Sequence, residues 1–579
     1  MSEPETIRED TANGVCRIVL DVAMAHGVTT AVCSPGSRNA PLLIAAAARK
    51  ELSKHIVVDE RSAAFVALGI AATSRRPVAL ICTSGTAMLN YAPAVAEAYY
   101  QHLPLIVISA DRPQQWIDQD DSQTIRQYEA LANIVKRSYD IDGGNNPDEE
   151  ELWMANRLIN DAMCVATGRP EGPVHINVRL SPPLGAKSAS RGTPTRIIRM
   201  VRPEGIPDKA TMARLADRVA AARVLVVAGF MAPDNRLNEA MASMAALPNV
   251  AVMAETISNL HLRRRPWAVD VTLSTLSPQD KEQLRPDIII SLGGALVSRQ
   301  IKEYMRNCTQ AENWVVGYSH TTADCFKNLT KRIEADRARF IRQIAALTSR
   351  RKGLTEASGA VNYGELWAEA RRRSTASAET FIENAPWSEL KAFDIILRGL
   401  PPQANLHLSN GTSIRYAQIT MREMPHACYC NRGVSGIDGS TSTAIGSALA
   451  YKGMTVLVTG DMSMAYDIGA LGLRLVGDKF RLIVIDNGGG GIFRFISSTS
   501  GLEELDDYFC VDPATPYSGL AKAWGWRYME ASSEKELAGM LPAFFDPTAG
   551  KTILRVKCDP ETGAATLKRF MRRAAEPQG

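Results

Sequence analysis

The sequence predicts an α/β protein of three doubly wound parallel-sheet domains, the middle one Rossmann-like. Three observations carry this. The chain has 579 residues, too many for one hydrophobic core. Short apolar runs recur along it, each passing into a polar or glycine-rich turn and then a helix-like stretch, which is the rhythm of parallel sheets. Two small-residue, polar stretches, 181–196 and 375–386, read as linkers between similar thirds. The expected domains are 1–185, 198–355 and 385–579.

In the first third, residues 30–33 lead into Ser34-Pro35-Gly36-Ser37-Arg38. Residues 55–58 lead into Asp59-Glu60-Arg61, and an apolar helix at 63–72 comes next. Residues 77–82 lead into Thr83-Ser84-Gly85-Thr86, and 105–108 into Ser109-Ala110-Asp111-Arg112-Pro113. The middle third repeats the pattern at 224–227, 250–253 and 288–292, and then a charged helix is expected over about 328–351. In the last third, strands at 455–459 and 482–485 enclose a stretch, 466–476, that reads as a helix. No repeat with a period of 20–50 residues is present.

Composition excludes several classes. Apolar content of 45% and charged content of 22% are ordinary for a globular protein, and a net charge of +4 gives no argument for nucleic acid or a membrane surface. No run of about 18 apolar residues suggests a membrane span. The polar start, Met-Ser-Glu-Pro-Glu-Thr, is unlike a secretory signal, and ten scattered cysteines without a CxxC motif suit reduced cytosolic thiols. A cytoplasmic location is expected.

The most telling pair is Asp461 and Asn487, twenty-six positions apart. Each comes after an apolar strand, in Gly460-Asp461-Met462-Ser463 and in Asp486-Asn487-Gly488-Gly489-Gly490-Gly491. They should lie at the carboxyl ends of neighbouring parallel strands, where open α/β sheets bind ligands. A carboxylate and an amide oxygen are hard ligands suited to Mg²⁺, with a backbone carbonyl near Gly489 as a third. The glycines let the backbone approach a diphosphate. Arg38, Arg112, Arg299 and Arg432 fall at strand ends. Any one alone could be a surface ion-pair partner, but together they suggest clamps for substrate carboxylates. Glu60 alone would read as a solvated charge.

Several stretches together resemble one family. Ser34-Pro35-Gly36-Ser37-Arg38, Asp59-Glu60-Arg61-Ser62-Ala63, Thr83-Ser84-Gly85-Thr86-Ala87 and Ala110-Asp111-Arg112-Pro113 are similar to the first domain of the SEPHCHC (2-succinyl-5-enolpyruvyl-6-hydroxy-3-cyclohexene-1-carboxylate) synthases. Asn431-Arg432-Gly433-Val434-Ser435-Gly436-Ile437-Asp438-Gly439 and Gly489-Gly490-Gly491-Ile492-Phe493 are similar to their last domain. The middle domain matches weakly. These are thiamine diphosphate enzymes of menaquinone biosynthesis.

The resemblance implies decarboxylation of 2-oxoglutarate and 1,4-addition of the resulting carbanion to isochorismate, with thiamine diphosphate and Mg²⁺ or Mn²⁺. It implies that Glu60 pairs with the N1′ nitrogen of the aminopyrimidine and that Ile437 wedges the cofactor into its bent shape. Ile492 and Phe493 would line the thiazolium pocket, and Asn410, Arg415, Gly460 and Ser463 would lie near the cofactor. Substrate would be held by Ser37, Arg38, Arg112, Gln123, Arg299 and Arg432; of these, Arg38, Gln123 and Arg432 join Glu60 as catalytic candidates. The cofactor would lie between the first domain of one chain and the last domain of another, so a dimer is the minimum unit, with a tetramer as a further option. Three departures stand out: Gly411 where some members carry Ser, Ser298 where some carry Lys, and Asp486 for the first Asn of the usual pair. The nearest rival is a carboligase resembling acetolactate synthase, which would not need the arginine set; a non-catalytic binding protein of the same fold is disfavoured because Glu60 and Asp461 are both present.

Overall fold

The computed structural model describes residues 9–144, 147–189, 195–203, 205–262, 269–351 and 362–573. It divides into two compact units. The first holds the chain up to Arg202 together with Gly433–Lys452 and Asp467–Gly477; the second holds Pro203–Arg432, Gly453–Tyr466 and the chain from Asp478 onward.

The strands of the first unit are β1 (Asp10–Thr11), β2 (Thr30–Cys33), β3 (Ser53–Ile56), β4 (Val78–Cys82), β5 (Leu105–Asp111), β6 (Ser138–Gly143), β7 (Val174–Leu180) and β8 (Lys187–Ser188). Six of them form a parallel sheet in the order β3-β2-β4-β5-β7-β6. Every residue of β4 and β5 is buried, as a strand covered by helices on both faces requires. The short β1 and β8 pair antiparallel.

The second unit carries two sheets. The first contains β9 (Val224–Ala228), β10 (Val250–Ala254), β11 (Ile288–Leu292), β12 (Glu312–Val316) and β13 (Leu329–Ile333), ordered β10-β9-β11-β12-β13. Alternate residues feed two cores: Val224, Val226, Ile288 and Ile290 join one cluster, while Leu225, Val227 and Ile289 join the other. Each such side chain contributes about 1.5–3 kcal/mol by leaving water, and a one-residue slip would exchange the two faces. The second sheet contains β14 (Asn405–Leu408), β15 (Ala427–Tyr429), β16 (Thr455–Gly460), β17 (Phe480–Asp486), β18 (Arg527–Ala531) and β19 (Thr552–Lys557), ordered β15-β14-β16-β17-β19-β18.

Counted from the first strand of each, the six-stranded sheets share one order, 2-1-3-4-6-5, and the middle sheet runs 2-1-3-4-5. The three parallel-sheet α/β domains expected from the sequence are therefore present. The middle one has the flavodoxin-like order rather than 3-2-1-4-5-6.

Four local expectations are corrected. Residues 466–476 are not one helix: a short helix, Asp461–Tyr466, gives way to a 3₁₀ turn, Ile468–Gly472. Asp467 turns aside to accept hydrogen bonds from the backbone N–H and hydroxyl of Ser442, and Gly469 and Gly472 disfavour helix beyond it. The expected linker at 375–386 is mostly the end of a long helix, Tyr363–Glu383, which buries Trp367, Ala370, Ser374, Ala378 and Ile382 at helical spacing. The charged stretch from 328 begins with β13 before its helix, Arg337–Thr348. The strand expected at 55–58 lies at Ser53–Ile56. In the other linker, β8 forms, and residues 190–194 lie outside the described residues. Among the described residues no disulfide joins the cysteines, and no helix is long and apolar enough to cross a membrane.

Candidate functional site

Ligands of doubly wound sheets bind where strand order reverses. In the last sheet that point lies between β14 and β16. The turn after β14 is Ser409-Asn410-Gly411, and β16 ends at Gly460 beside Asp461. The two turns are stitched together, because the Gly460 N–H donates to the Ser409 hydroxyl at 3.2 Å.

Asp461 is buried, and its carboxylate organises the neighbouring strand end. Oδ2 accepts from the N–H groups of Asn487 (3.0 Å) and Gly489 (2.8 Å), and Oδ1 accepts from Met462 at 2.7 Å. Burial pushes its pKa up to about 6, and the charge of Asp486 pushes the same way. A divalent cation would reverse both effects. Gly489 has φ +88°, and a Cβ there would lie 2.0 Å from the Val511 carbonyl oxygen, so only glycine fits. Among the described residues no three His, Cys, Asp or Glu side chains gather into a metal cluster. The Asp461 carboxylate, the Asn487 amide oxygen and a Gly489 carbonyl could instead offer an oxygen set that would leave positions for phosphate and water, the usual habit of Mg²⁺. The residues present fit the implied group.

Asp486, which replaces the usual Asn, is not free to join them. It pairs with Arg555 at 2.5 Å. The other departure in this region, Gly411, has φ +92° with open space around it; a serine there would be strained by its backbone rather than by its neighbours.

A residue missed in the sequence stands behind Asn487. Glu389, 3% exposed, accepts a 2.8 Å hydrogen bond from the Asn487 side-chain N–H. This turns the Asn487 oxygen away from Glu389. Burial raises the pKa of Glu389 to about 7, and its second oxygen has no partner among the described residues. Glu389→Ala is expected to weaken Mg²⁺ binding about 10–100-fold by freeing the amide to flip; a Mg²⁺ titration of the cofactor-loaded protein, monitored by thermal midpoint, checks this.

The same unit holds Arg299, Arg415 and Arg432. Arg432 donates to Asn410 Oδ1 at 2.9 Å and to the Leu296 carbonyl at 3.5 Å, and Asn410 in turn donates to the Asn431 carbonyl at 2.6 Å. Arg415 donates to the Val297 carbonyl at 3.4 Å. Burial lowers the pKa of Arg415, and the charges of Arg432 and Arg299 add to this. The Nε atoms of Arg415 and Arg432 are buried without partners among the described residues. Arg299 is exposed at the start of the helix Arg299–Asn307. Ser298, where a lysine was the alternative, faces inward, donates to Asp270 at 2.5 Å and caps that helix. Ser463 is buried beside Asp461, while Ile492 and Phe493 are half-buried on the helix Gly491–Phe495.

The first unit holds the remaining candidates. Glu60 begins the helix Glu60–Ser74, capped by Asp59, whose side chain accepts from Ser62 N–H at 3.1 Å. Residues 62–72 of that helix are all buried, as the sequence suggested, but Glu60 itself is only half-buried. Around the carboxyl ends of β2, β4 and β5 lie Ser37 (exposed), Arg38, Arg112 and Gln123. Arg38 donates to the Leu180 carbonyl at 3.0 Å, and its pKa is lowered by burial and then by Arg112. Arg112 already holds Asp121 at 2.5 Å, so a substrate carboxylate would share it. Gln123 adopts φ +59° and reaches the Ser84 carbonyl at 3.2 Å. Ile437 is 36% exposed in a loop fastened by buried Glu97, which accepts from Gly433 N–H (2.5 Å) and Val434 N–H (2.7 Å). Glu97, like Glu389, had no legible signal: each is one acid within an ordinary helix.

The family model described as "Thiamine pyrophosphate enzyme, N-terminal TPP binding domain" matches residues 14–130, and "Middle domain of thiamine pyrophosphate" matches 202–408. A 2-succinyl-5-enolpyruvyl-6-hydroxy-3-cyclohexene-1-carboxylate synthase of Porphyromonas gingivalis is 38% identical over 559 residues, covering 96% of each chain. The protein of that name from Flavobacterium psychrophilum is 37% identical over 90% of this chain and 92% of its own, and that from Desulfotalea psychrophila is 34% identical over 93% and 97%. With this likeness along nearly the whole chain, the protein belongs to the SEPHCHC synthase family of thiamine diphosphate enzymes.

Proposed function

We propose that this chain decarboxylates 2-oxoglutarate and adds the remaining four-carbon fragment to isochorismate in a 1,4 sense, releasing CO₂ and forming SEPHCHC, a step of menaquinone biosynthesis. The observation that carries this reading is the likeness to synthases of that name over 96% of the chain, and the two basic clusters supply what two dicarboxylates demand.

Thiamine diphosphate, when bound, supplies the electron sink for decarboxylation. The chain's own residues bind, orient and move protons. Asp461, Asn487 and the Gly489 carbonyl would hold the Mg²⁺ or Mn²⁺ that serves the diphosphate. Glu60 holds a proton at N1′ of the aminopyrimidine. Ile437 would be the apolar wedge for the cofactor, and Ile492 and Phe493 would exclude water from its thiazolium end. Asn410, Arg415, Gly460 and Ser463 line the cofactor. Ser37, Arg38, Arg112, Gln123, Arg299 and Arg432 receive the substrates' carboxylates and hydroxyls, with Arg38, Gln123 and Arg432 joining Glu60 as catalytic residues. The domains run over 1–185, 198–355 and 385–579, and the setting is cytoplasmic.

The active unit is at least a homodimer in which Glu60 of one copy serves Asp461 of another. Two inactive variants test this. Glu60→Gln and Asp461→Ala chains, co-expressed with different tags and purified through both, should form a hybrid dimer with one intact site of two and about half of wild-type activity. A doubly tagged hybrid without activity would refute the shared site.

A further inference from the structure

Two successive peptide groups join one buried carboxylate to two arginines. The turn after β11 runs Leu296-Val297-Ser298. On one side of it, the Val297 N–H donates to both oxygens of Glu255, at 2.9 and 2.8 Å, and the Ser298 N–H donates to Oε1 at 2.8 Å. The opposite ends of the same two peptide groups face the basic cluster. The Leu296 carbonyl accepts from Arg432 and the Val297 carbonyl from Arg415, through the long bonds given above. Each peptide dipole therefore lies between Glu255 and a guanidinium, and each bond polarises the next.

Glu255 also fastens the helix that carries Arg415. Gln418, on the helix Ser413–Thr420, donates to Glu255 Oε1 and Asp270 Oδ2, both at 3.2 Å. Asp270 accepts from Ser298, whose hydroxyl caps the helix beginning with Arg299. Glu255 is 2% exposed. A carboxylate that deep persists only where its partners and nearby opposite charge offset desolvation. The three arginines face the reverse problem: they repel one another, and two of them keep unused buried donors.

We infer that Glu255 is a positioning residue for anion recognition. Through the two peptide groups it holds Arg432 beside Arg415, with the free Nε donor of Arg432 ready for a substrate carboxylate. This rests on the assignment of Arg432 to substrate made under Proposed function. Lys302, whose pKa is lowered by burial and then by Arg432, adds to the positive field that Glu255 and Asp270 balance.

The test is steady-state kinetics of Glu255→Gln beside Arg432→Ala, each with saturating thiamine diphosphate and Mg²⁺. Glu255→Gln should raise KM for at least one dicarboxylate substrate by about 10–100-fold, with kcat and the thiamine diphosphate activation constant changed less. Loss of folded protein alone would lower kcat and leave KM where it was. KM values within twofold of wild type for both substrates would overturn the inference. Should Glu255→Gln not be recovered folded, Gln418→Ala, which removes the link to the Arg415 helix, must show the same KM shift or the inference falls. If Arg432→Ala raises KM and Glu255→Gln does not, only the role of Glu255 is lost; if Arg432→Ala leaves both KM values unchanged, the substrate assignment falls with it.

Discussion

Replacing Glu60 with Gln is expected to lower kcat about 10²–10⁴-fold, the usual cost of losing a positioned proton-transfer group. Glutamine has nearly the same shape and can still hydrogen-bond to a ring nitrogen, but it cannot hand over or take up a proton. The local fold should survive. The helix cap is Asp59 rather than Glu60, and the buried face of the helix begins at Ser62. The proposed metal ligands, Asp461 and Asn487, lie just beyond the ends of β16 and β17. Cofactor affinity, measured by calorimetry in the presence of Mg²⁺, should therefore stay within a few-fold of wild type while turnover collapses. Near wild-type turnover would remove the assigned role.

Asp461→Ala is expected to abolish metal-dependent cofactor binding, with affinity reduced about 100-fold or more, beyond the loss typical of an outer-shell partner. Its carboxylate gathers the N–H groups of Asn487 and Gly489, and it is the proposed ligand of the metal. Without it the diphosphate loses both its cation and the ordered glycine turn. The apo protein should not melt earlier by a comparable margin, because a buried charge is removed together with its bonds. In the wild type the sign of the pH effect is set by the raised pKa of about 6. The protonated carboxyl stabilises the apo fold, and that contribution is lost as pH rises through about 6. Metal binding needs the ionised form. The gain in thermal midpoint on adding Mg²⁺ and thiamine diphosphate should therefore be larger at pH 7.5 than at pH 5, and Asp461→Ala should show no gain at either pH.

Strands that combine a continuous apolar run with a turn motif were legible in the sequence: β2, β4, β9, β10, β11 and β16 fall within a residue or two of expectation. Burial on both faces makes such strands plain. The region around 466–476 was misread because its helix-like composition is overridden by a tertiary bond, from Ser442 to Asp467. The helix through 375–383 was misread because Thr, Ser and Ala look like a linker until their spacing is set against Trp367 and Ile382. At the site, Asp461 and Asn487 were legible because their chemistry is rare and their spacing matches adjacent strands. Glu255, Glu389 and Glu97 were not, since each is an ordinary acid whose meaning comes from groups distant in the chain. The pairing of the arginines was not legible: Arg112 is engaged by Asp121, whereas Arg415 and Arg432 keep unused donors.

One reaction decides whether the assigned chemistry is right. The purified protein, incubated with isochorismate, 2-oxoglutarate, thiamine diphosphate and Mg²⁺, should consume isochorismate and release CO₂ in a one-to-one ratio, and omission of any one component should stop both. Unchanged isochorismate, with pyruvate turned over in its place, would contradict that chemistry and favour a carboligase of the acetolactate synthase kind.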